Sequence, residues 1–292
     1  MTLSQKFIVV SKSVFLTIYF FCLSLFSTKN LSKGNSEVIV SLTSYGKRLR
    51  FVFLTIETIL QQSYPPKCIY LWLHKKDIPS GFSALIMKKQ QRRGLIVNYV
   101  DRDTRSYKKL SPVYNIPDKS FDYVVTADDD ILYPNHWIEK FKEYYQQEPG
   151  YVYCYRARVI SLEPTNNTLK KYSDWPLADN KNSLGNCVIP TGVSGICYPK
   201  DSISEKVIDY QAIESICPYA DDIWYKMTTT LNKFESKLVV DHSTHFIPVL
   251  TGFAKGLEKV NVYNDLNSKQ FNDSMKYFNL NIADFIINTV RK

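Results

Sequence analysis

The sequence predicts an α/β chain: a mostly parallel central sheet flanked by helices, followed by a less regular C-terminal elaboration. Three observations carry this. Short apolar, β-branched runs alternate with helix-spaced segments through the first half of the chain. The connections between them are short, as a doubly wound sheet requires. The fourth apolar run ends directly in three aspartates, where such a sheet places its ligands.

In chain order, the segment Glu37 to Thr43 reads as a buried strand, and Ser44-Tyr45-Gly46-Lys47-Arg48 as a turn. Arg50 to Gln62 has helical spacing and is stopped by Pro65-Pro66. Cys68 to Leu73 is a second strand, Phe82 to Arg93 a helix and Leu95 to Val100 a third strand. Phe121 to Ala127 is the fourth, followed by a helix whose Trp137, Phe141 and Tyr144 share a face. Tyr151 to Leu162 reads as a strand pair or a long bent strand, and Lys181 to Gly195 as a loop-rich stretch. Asp201 to Tyr210 and Tyr219 to Leu231 read as helices, Leu238 to Asp241 as a short strand, and the tail from Asn267 as helical. The predicted organisation is an N-terminal segment 1–36, a main domain 37–266 and a helical tail 267–292.

The N-terminal segment is apolar and basic. Phe7 to Phe26 is about the ~20 residues a membrane helix needs, but Lys12 interrupts it, leaving a clean run from Val14 to Phe26. No small-residue cleavage site follows, which argues against a removed leader. Of the net charge of +9, two thirds arises in the first fifty residues, where seven cations oppose Glu37 alone. A basic end beside an apolar stretch suits an anionic membrane surface. No nucleic-acid recognition module is visible, and nucleic acid is not expected as a partner. A membrane anchor, a helix lying on the membrane and a buried helix all remain open; a polar linker, Ser27 to Ser36, follows. The six cysteines lack zinc spacing and read as small buried hydrophobes in a reducing compartment.

Asp128-Asp129-Asp130 follows Val124-Val125-Thr126-Ala127 at a strand's carboxyl end. Continued strand geometry would point Asp128 and Asp130 to one side and Asp129 to the other. Three adjacent carboxylates repel one another and need a cation or strong donors nearby. Mn2+ or Mg2+ takes one or two carboxylates plus phosphate oxygens, so a diphosphate leaving group fits; the competing reading is a solvated acidic turn. Asp221-Asp222 opens a predicted helix after Cys217-Pro218. The pair serves either as N-terminal helix charge or as a general base for an attacking hydroxyl. Thr191-Gly192-Val193-Ser194-Gly195 is a turn whose glycines permit close backbone approach. His242 and His245 lie three apart near a strand end, and one of them, His242 first, is a candidate extra metal ligand, against the commoner reading of histidines satisfied by their neighbours.

Taken together, these motifs resemble bacterial family 2-like glycosyltransferases of the GT-A fold, of the kind that act in surface-polysaccharide or lipopolysaccharide assembly. The resemblance rests on Ser41 to Arg48, Tyr107-Lys108-Lys109-Leu110, Thr126 to Pro134, Thr191 to Pro199 and Ala220 to Trp224, with Asn264-Asp265 a weaker match. It implies that Thr43 and Tyr45 line a nucleotide pocket and that Lys108 or Lys109 meets the diphosphate. It further implies that Asp128 contacts ribose or donor sugar, Asp130 holds the metal, and Asp222 is the base with Asp221 in support. Asp129 or Asp130 could take the metal role, with Asp128 and His242 as further candidate ligands. The implied donor is a nucleotide sugar, a UDP-sugar first; the acceptor is a saccharide or lipid-linked saccharide; the site of action is the cytoplasmic face of a bacterial inner membrane. Asp174-Trp175-Pro176 is either an acceptor platform or a packed loop. Rival readings are a retaining transferase of the same fold, or an inactive sugar-binding or membrane-surface module. A haloacid-dehalogenase-type phosphatase needs its aspartates on the first strand and a Thr where Leu132 stands.

Overall fold

A computed structural model of the chain describes residues 3–31, 36–165, 168–250 and 265–286. Its centre is an eight-stranded mixed sheet. Strands β1 (Val38–Thr43), β2 (Ile69–His74), β3 (Leu95–Val100) and β4 (Tyr123–Ala127) are mutually parallel in the order β3-β2-β1-β4. Beyond β4 lie four short strands: β10 (Ile196–Pro199), β6 (Val152–Cys154), β11 (Ser236–Leu238) and β8 (Leu184–Gly185). Here β10 is antiparallel to both neighbours, while β6 and β11 are parallel to each other. Two small ribbons complete the strands. One pairs β5 (Ile131–Leu132) with β12 (Ile247–Pro248), and the other β7 (Ala157–Val159) with β9 (Val188–Pro190).

The first four predicted strands form at or within two residues of their expected bounds; β1, β2 and β4 are apolar runs largely buried in a two-sided core, and β3 is the half-exposed edge. One sheet face packs on α2 (Val52–Leu60), α3 (Gly81–Gln91) and α4 (Trp137–Gln147), with Val40, Leu42, Leu71 and Val125 in the same core. The other is covered by α6 (Asp221–Leu231) and α7 (Leu266–Tyr277), with Val124, Ile196, Trp224 and Phe271. Burying a large apolar side chain contributes about 1.5–3 kcal/mol, so the aromatic cluster Trp137, Phe141 and Tyr155 anchors α4 strongly.

The second half departs from expectation. Asp201 to Tyr210 is two 3-10 turns, Lys200–Ser202 and Glu205–Ile208, rather than a helix. The helix is α5 (Tyr210–Ile216), which starts one residue after Asp209, whose carboxylate accepts from the Ala212 N–H at 3.2 Å. That cap sets the start, and the upstream serines favour turns. Likewise the strand expected at Leu238 to Asp241 lies at Ser236–Leu238, where it pairs with Val152–Cys154. Tyr151 to Leu162 is a strand pair, β6 and β7. The tail is helical in α7 and α8 (Ala283–Ile286); the rest of the expected tail helix, 287–292, lies outside the described residues.

The N-terminal helix α1 (Leu3–Phe26) packs on α2, α3 and β12. The stretch after it, expected as a free polar linker, is tied down in its described part, 27–31. Arg93 Nε donates to the Lys29 carbonyl at 2.8 Å, and Leu31 N–H donates to the Arg93 carbonyl at 3.0 Å. Of the six cysteines, none is disulfide-bonded; Cys22 is exposed and Cys68 half-buried, whereas the other four are buried as expected.

Candidate active site

The carboxyl ends of β1 and β4 lie side by side, with Leu42 paired to Ala127, so the residues that follow them share one edge. Strand geometry ends at Ala127 and a turn begins. The predicted alternation therefore does not continue through Asp128-Asp129-Asp130. Instead Arg48, from the turn after β1, holds two of the three: it lies 2.7 Å from Asp129 and 3.0 Å from Asp130. Asp129 is the buried member. It also accepts from Ser44 Oγ at 2.5 Å, and its backbone carbonyl accepts from Thr55 at 3.0 Å. Burial raises the Asp129 carboxyl above its ordinary range against the pull of Arg48. Asp130 is pushed up to about 7 by burial and by Asp128, again opposed by Arg48.

Asp128 turns to a different cation. Its Oδ1 is 3.3 Å from Lys109 Nζ, and that nitrogen is 2.9 Å from Asp221 at the start of α6. Burial works against the charged form of Lys109, but Asp128, Asp221 and Asp222 together hold its pKa well above the ordinary lysine value. Ser106 Oγ donates to Asp221 at 2.8 Å, so the turn carrying Lys109 grips Asp221 twice. Asp222 accepts from the Gly192 N–H through Oδ2 at 2.9 Å. Its Oδ1 is sealed from solvent without a hydrogen-bond partner among the described residues. Burial and the neighbouring Asp221 push the Asp222 carboxyl up to about 7, opposed by Lys109.

Both glycines of the Thr191-to-Gly195 turn are required by contact. A Cβ on Gly192 would stand 2.5 Å from Lys109 Nζ and 3.1 Å from Asp222 Oδ1. Gly195 has φ +90°, and a Cβ there would fall 2.4 Å from the Trp137 ring. That ring donates through Nε1 to the Ser194 carbonyl at 3.0 Å, fixing the turn over the acidic cluster.

The remaining predicted residues divide. Thr43 ends β1 and donates to the Trp72 carbonyl at 2.8 Å, while Tyr45 is exposed with the Arg48 guanidinium 5.7 Å above its ring. Lys108 does not join Lys109: it pairs with Asp103 and lines a separate cavity of about 710 Å³ beside Tyr99, Arg102 and Tyr210. His242 is exposed and bridges Asp179 through the backbone. Among the described residues no three His, Cys, Asp or Glu side chains converge as a metal cage, so His242 does not join Asp128 and Asp130 in one. Trp175 is a packed loop residue, with Nε1 donating to Lys170 and its ring against Phe271, and is not an acceptor platform. Asn264 lies outside the described residues.

Sequence reasoning gave no role to Arg48, Ser44 or Ser106. The signal for Arg48 was present, since three adjacent carboxylates demand a nearby cation, and Arg48 follows the neighbouring strand's end. Nothing local marks Ser44 or Ser106.

No family model and no curated protein matches this sequence. Solved structures do. A mannosyltransferase from Pyrobaculum calidifontis, solved with GDP-Man and Mn2+, superposes with a TM-score of 0.50 over 92% of this chain and 76% of its own, at 10% identity. This is a GT-A-type fold. S. aureus TarS 1-349 gives a TM-score of 0.46 at 13% identity over 72% of this chain. This chain spans 58% of that protein's length. A 4-diphosphocytidyl-2C-methyl-D-erythritol synthase from Anaerococcus prevotii gives 0.48 at 14% identity, covering 79% of this chain and 99% of its own. At such identities the likeness concerns the fold alone.

Proposed function

We propose that this chain is a glycosyltransferase that moves a sugar from a nucleotide-sugar donor, a UDP-sugar first, to a saccharide or lipid-linked acceptor with inversion. The observation that carries the reading is the state of Asp222. One oxygen is pinned by Gly192, and the other is idle, dry and aimed into the same cluster as the β4 aspartates. A carboxylate raised to about 7 and left one acceptor short is suited to take the proton of an attacking hydroxyl. In the displacement, the acceptor oxygen bonds to the anomeric carbon as the bond to the diphosphate breaks, and the hydroxyl proton passes to Asp222. The Gly192 N–H holds that carboxylate in place, the charge of Asp221 keeps it basic, and Lys109 with Arg48 faces the leaving diphosphate.

The donor set fits a divalent ion. Five carboxylates meet two cations here, an excess of negative charge, and Asp128 and Asp130, with side chains 30% and 20% exposed, are the more accessible of the three aspartates after β4. Mg2+ and Mn2+ bind through one or two carboxylates plus substrate phosphates, without an all-protein cage. Asp130 and Asp128 would hold the ion, which would offset charge on the departing diphosphate. The mannosyltransferase of the same fold was solved with GDP-Man and Mn2+. Action in surface-polysaccharide or lipopolysaccharide assembly is the corresponding biological proposal.

The test is a panel of UDP-, GDP- and CMP-sugars, with and without Mn2+, read by thermal shift and by release of free nucleotide. A saturating donor at 100-fold its Kd stabilises by about 2.7 kcal/mol. The expected result is stabilisation by one nucleotide class, dependent on Mn2+ and absent in Asp130→Asn. Anomer analysis of the product separates inversion from retention. A panel with no stabilising nucleotide, or an Asp130→Asn variant that behaves as the parent, would remove the donor site.

A further inference from the structure

Helix α1 carries large apolar side chains on both faces. Its inward face, toward α2, α3 and β12, packs Phe20, Leu16 and Leu23 on the core beside the small polar Ser13, Thr17 and Ser24; Ser13 Oγ donates to the Pro248 carbonyl at 2.7 Å. Its outward face is left uncovered, with Phe7, Phe15, Ile18 and Phe26 between 58% and 77% exposed. The patch continues onto α3. Phe21 stacks on Phe82 at 5.6 Å, and Leu85, one turn on, is 66% exposed. A contiguous apolar surface of this kind marks an interaction site.

We infer that this face is a lipid-binding surface, and that α1 lies in the plane of an anionic membrane rather than crossing it. Charge selects the occupant. Lys6 and Lys12 on α1 and Lys88 and Arg92 at the end of α3 are exposed, and neither helix contains a carboxylate. A second copy of the chain docked face to face would bring these cations against themselves, whereas anionic headgroups complement them. Lys12 sits among the apolar side chains, where its stem can lie along hydrocarbon with the ammonium at headgroup level.

Docking excludes a span. Ser13, near the middle of α1, is bonded to Pro248, and Lys89 donates to the Leu25 carbonyl near the C-terminal end. For some 18 Å of its length, at 1.5 Å per residue, the helix runs along the folded domain. A hydrocarbon layer of about 30 Å around the helix would have to engulf that polar surface as well. An in-plane helix buries only its outer face. This inference does not depend on the reaction proposed above.

The test uses the full chain and sealed vesicles of phosphatidylcholine, with or without phosphatidylglycerol, read by flotation. Binding is expected to strengthen about tenfold or more with the anionic lipid. The double variant Phe15→Asp/Ile18→Asp, altered only at exposed positions, should lose about tenfold or more in binding with its thermal midpoint unchanged. Topology is read with Ser4→Cys in a Cys22→Ser background, using a membrane-impermeant maleimide added outside. Labelling without lysis is expected for the in-plane helix. Labelling only after lysis means a span and overturns the inference. So does failure to bind vesicles, whether or not α1 instead mediates self-association.

Discussion

Lys109 sets its ammonium 2.9 Å from the Asp221 carboxylate, and the same nitrogen reaches Asp128 at 3.3 Å. One buried cation thus joins the end of β4 to the start of α6. The two acidic groups, far apart in sequence, form a single electrostatic unit: a change in charge at Asp128 is felt at Asp222 through Lys109.

Removing that cation should cost more than a hydrogen bond. Lys109→Met keeps the length and loses the charge, leaving buried carboxylates uncompensated, at about 3–5 kcal/mol. The raised folded-state pKa of Lys109 means that its stabilisation is complete below the ordinary lysine value and is lost only as pH rises through the higher one. The wild-type contribution is therefore constant from pH 6 to 8. The variant's deficit should still grow above pH 7, because without Lys109 the Asp222 carboxyl is held higher than its parent value of about 7 and resists ionisation there. Urea unfolding at both pH values measures this, and equal stability of variant and parent at pH 8 would count against the coupling.

Gly192→Ala tests how closely the turn must approach. The new methyl would meet Lys109 Nζ at 2.5 Å and Asp222 Oδ1 at 3.1 Å. Lys109 can retreat only by leaving carboxylates that hold it. Overpacking of this kind costs about 1–3 kcal/mol, so the fold should survive while transfer falls by about tenfold or more, the nucleophile's base having moved. Activity within twofold of the parent would show that the turn is not part of the acceptor side.

The sequence made the first half of the fold legible because β1, β2 and β4 are largely buried on both faces, and because the runs of all four strands are apolar and separated by clear helix and turn signals. The position of Asp128 to Asp130 followed from that. Their pairing did not. Which carboxylate meets Arg48 and which meets Lys109 depends on the turn that replaces strand geometry after Ala127, and no periodicity encodes it. Lys108 and Lys109 are adjacent in sequence yet meet different carboxylates, Asp103 for one and Asp128 with Asp221 for the other, because a 3-10 turn separates consecutive side chains by about 120°. In the second half the strands are only two to four residues long, too short for a pattern. There Asp209, a cap, decides where α5 starts.

Arg48→Gln should expose the cost of burying Asp129. The carboxyl is already raised by burial despite Arg48, and loss of the guanidinium would raise it further. An acid whose folded pKa is raised destabilises the protein as pH climbs above its unfolded value, since the native state must then surrender a proton it prefers to keep. The variant should therefore lie about 3 kcal/mol below the parent at pH 8 and approach it as pH falls toward 5. The check is a pair of denaturation curves; a deficit independent of pH would assign Arg48 a packing role only.

Asp222→Asn separates chemistry from stability at the same atom. The amide oxygen can still accept from Gly192, so the turn should hold. Without a base, transfer should fall by about 10²–10⁴-fold, while nucleotide-dependent stabilisation persists. In the parent, transfer should rise with pH through about 7, as Asp222 gives up its proton; that limb should vanish in the variant. Stability moves the other way. The parent loses stability between the ordinary aspartate range and pH 7, because its raised carboxyl must ionise in a dry site. The variant pays no such penalty and should be the more stable protein at pH 8, with the advantage smaller at pH 5 and gone only below the ordinary aspartate range. A residue held there for structure alone would show the reverse, a variant weaker than the parent at every pH.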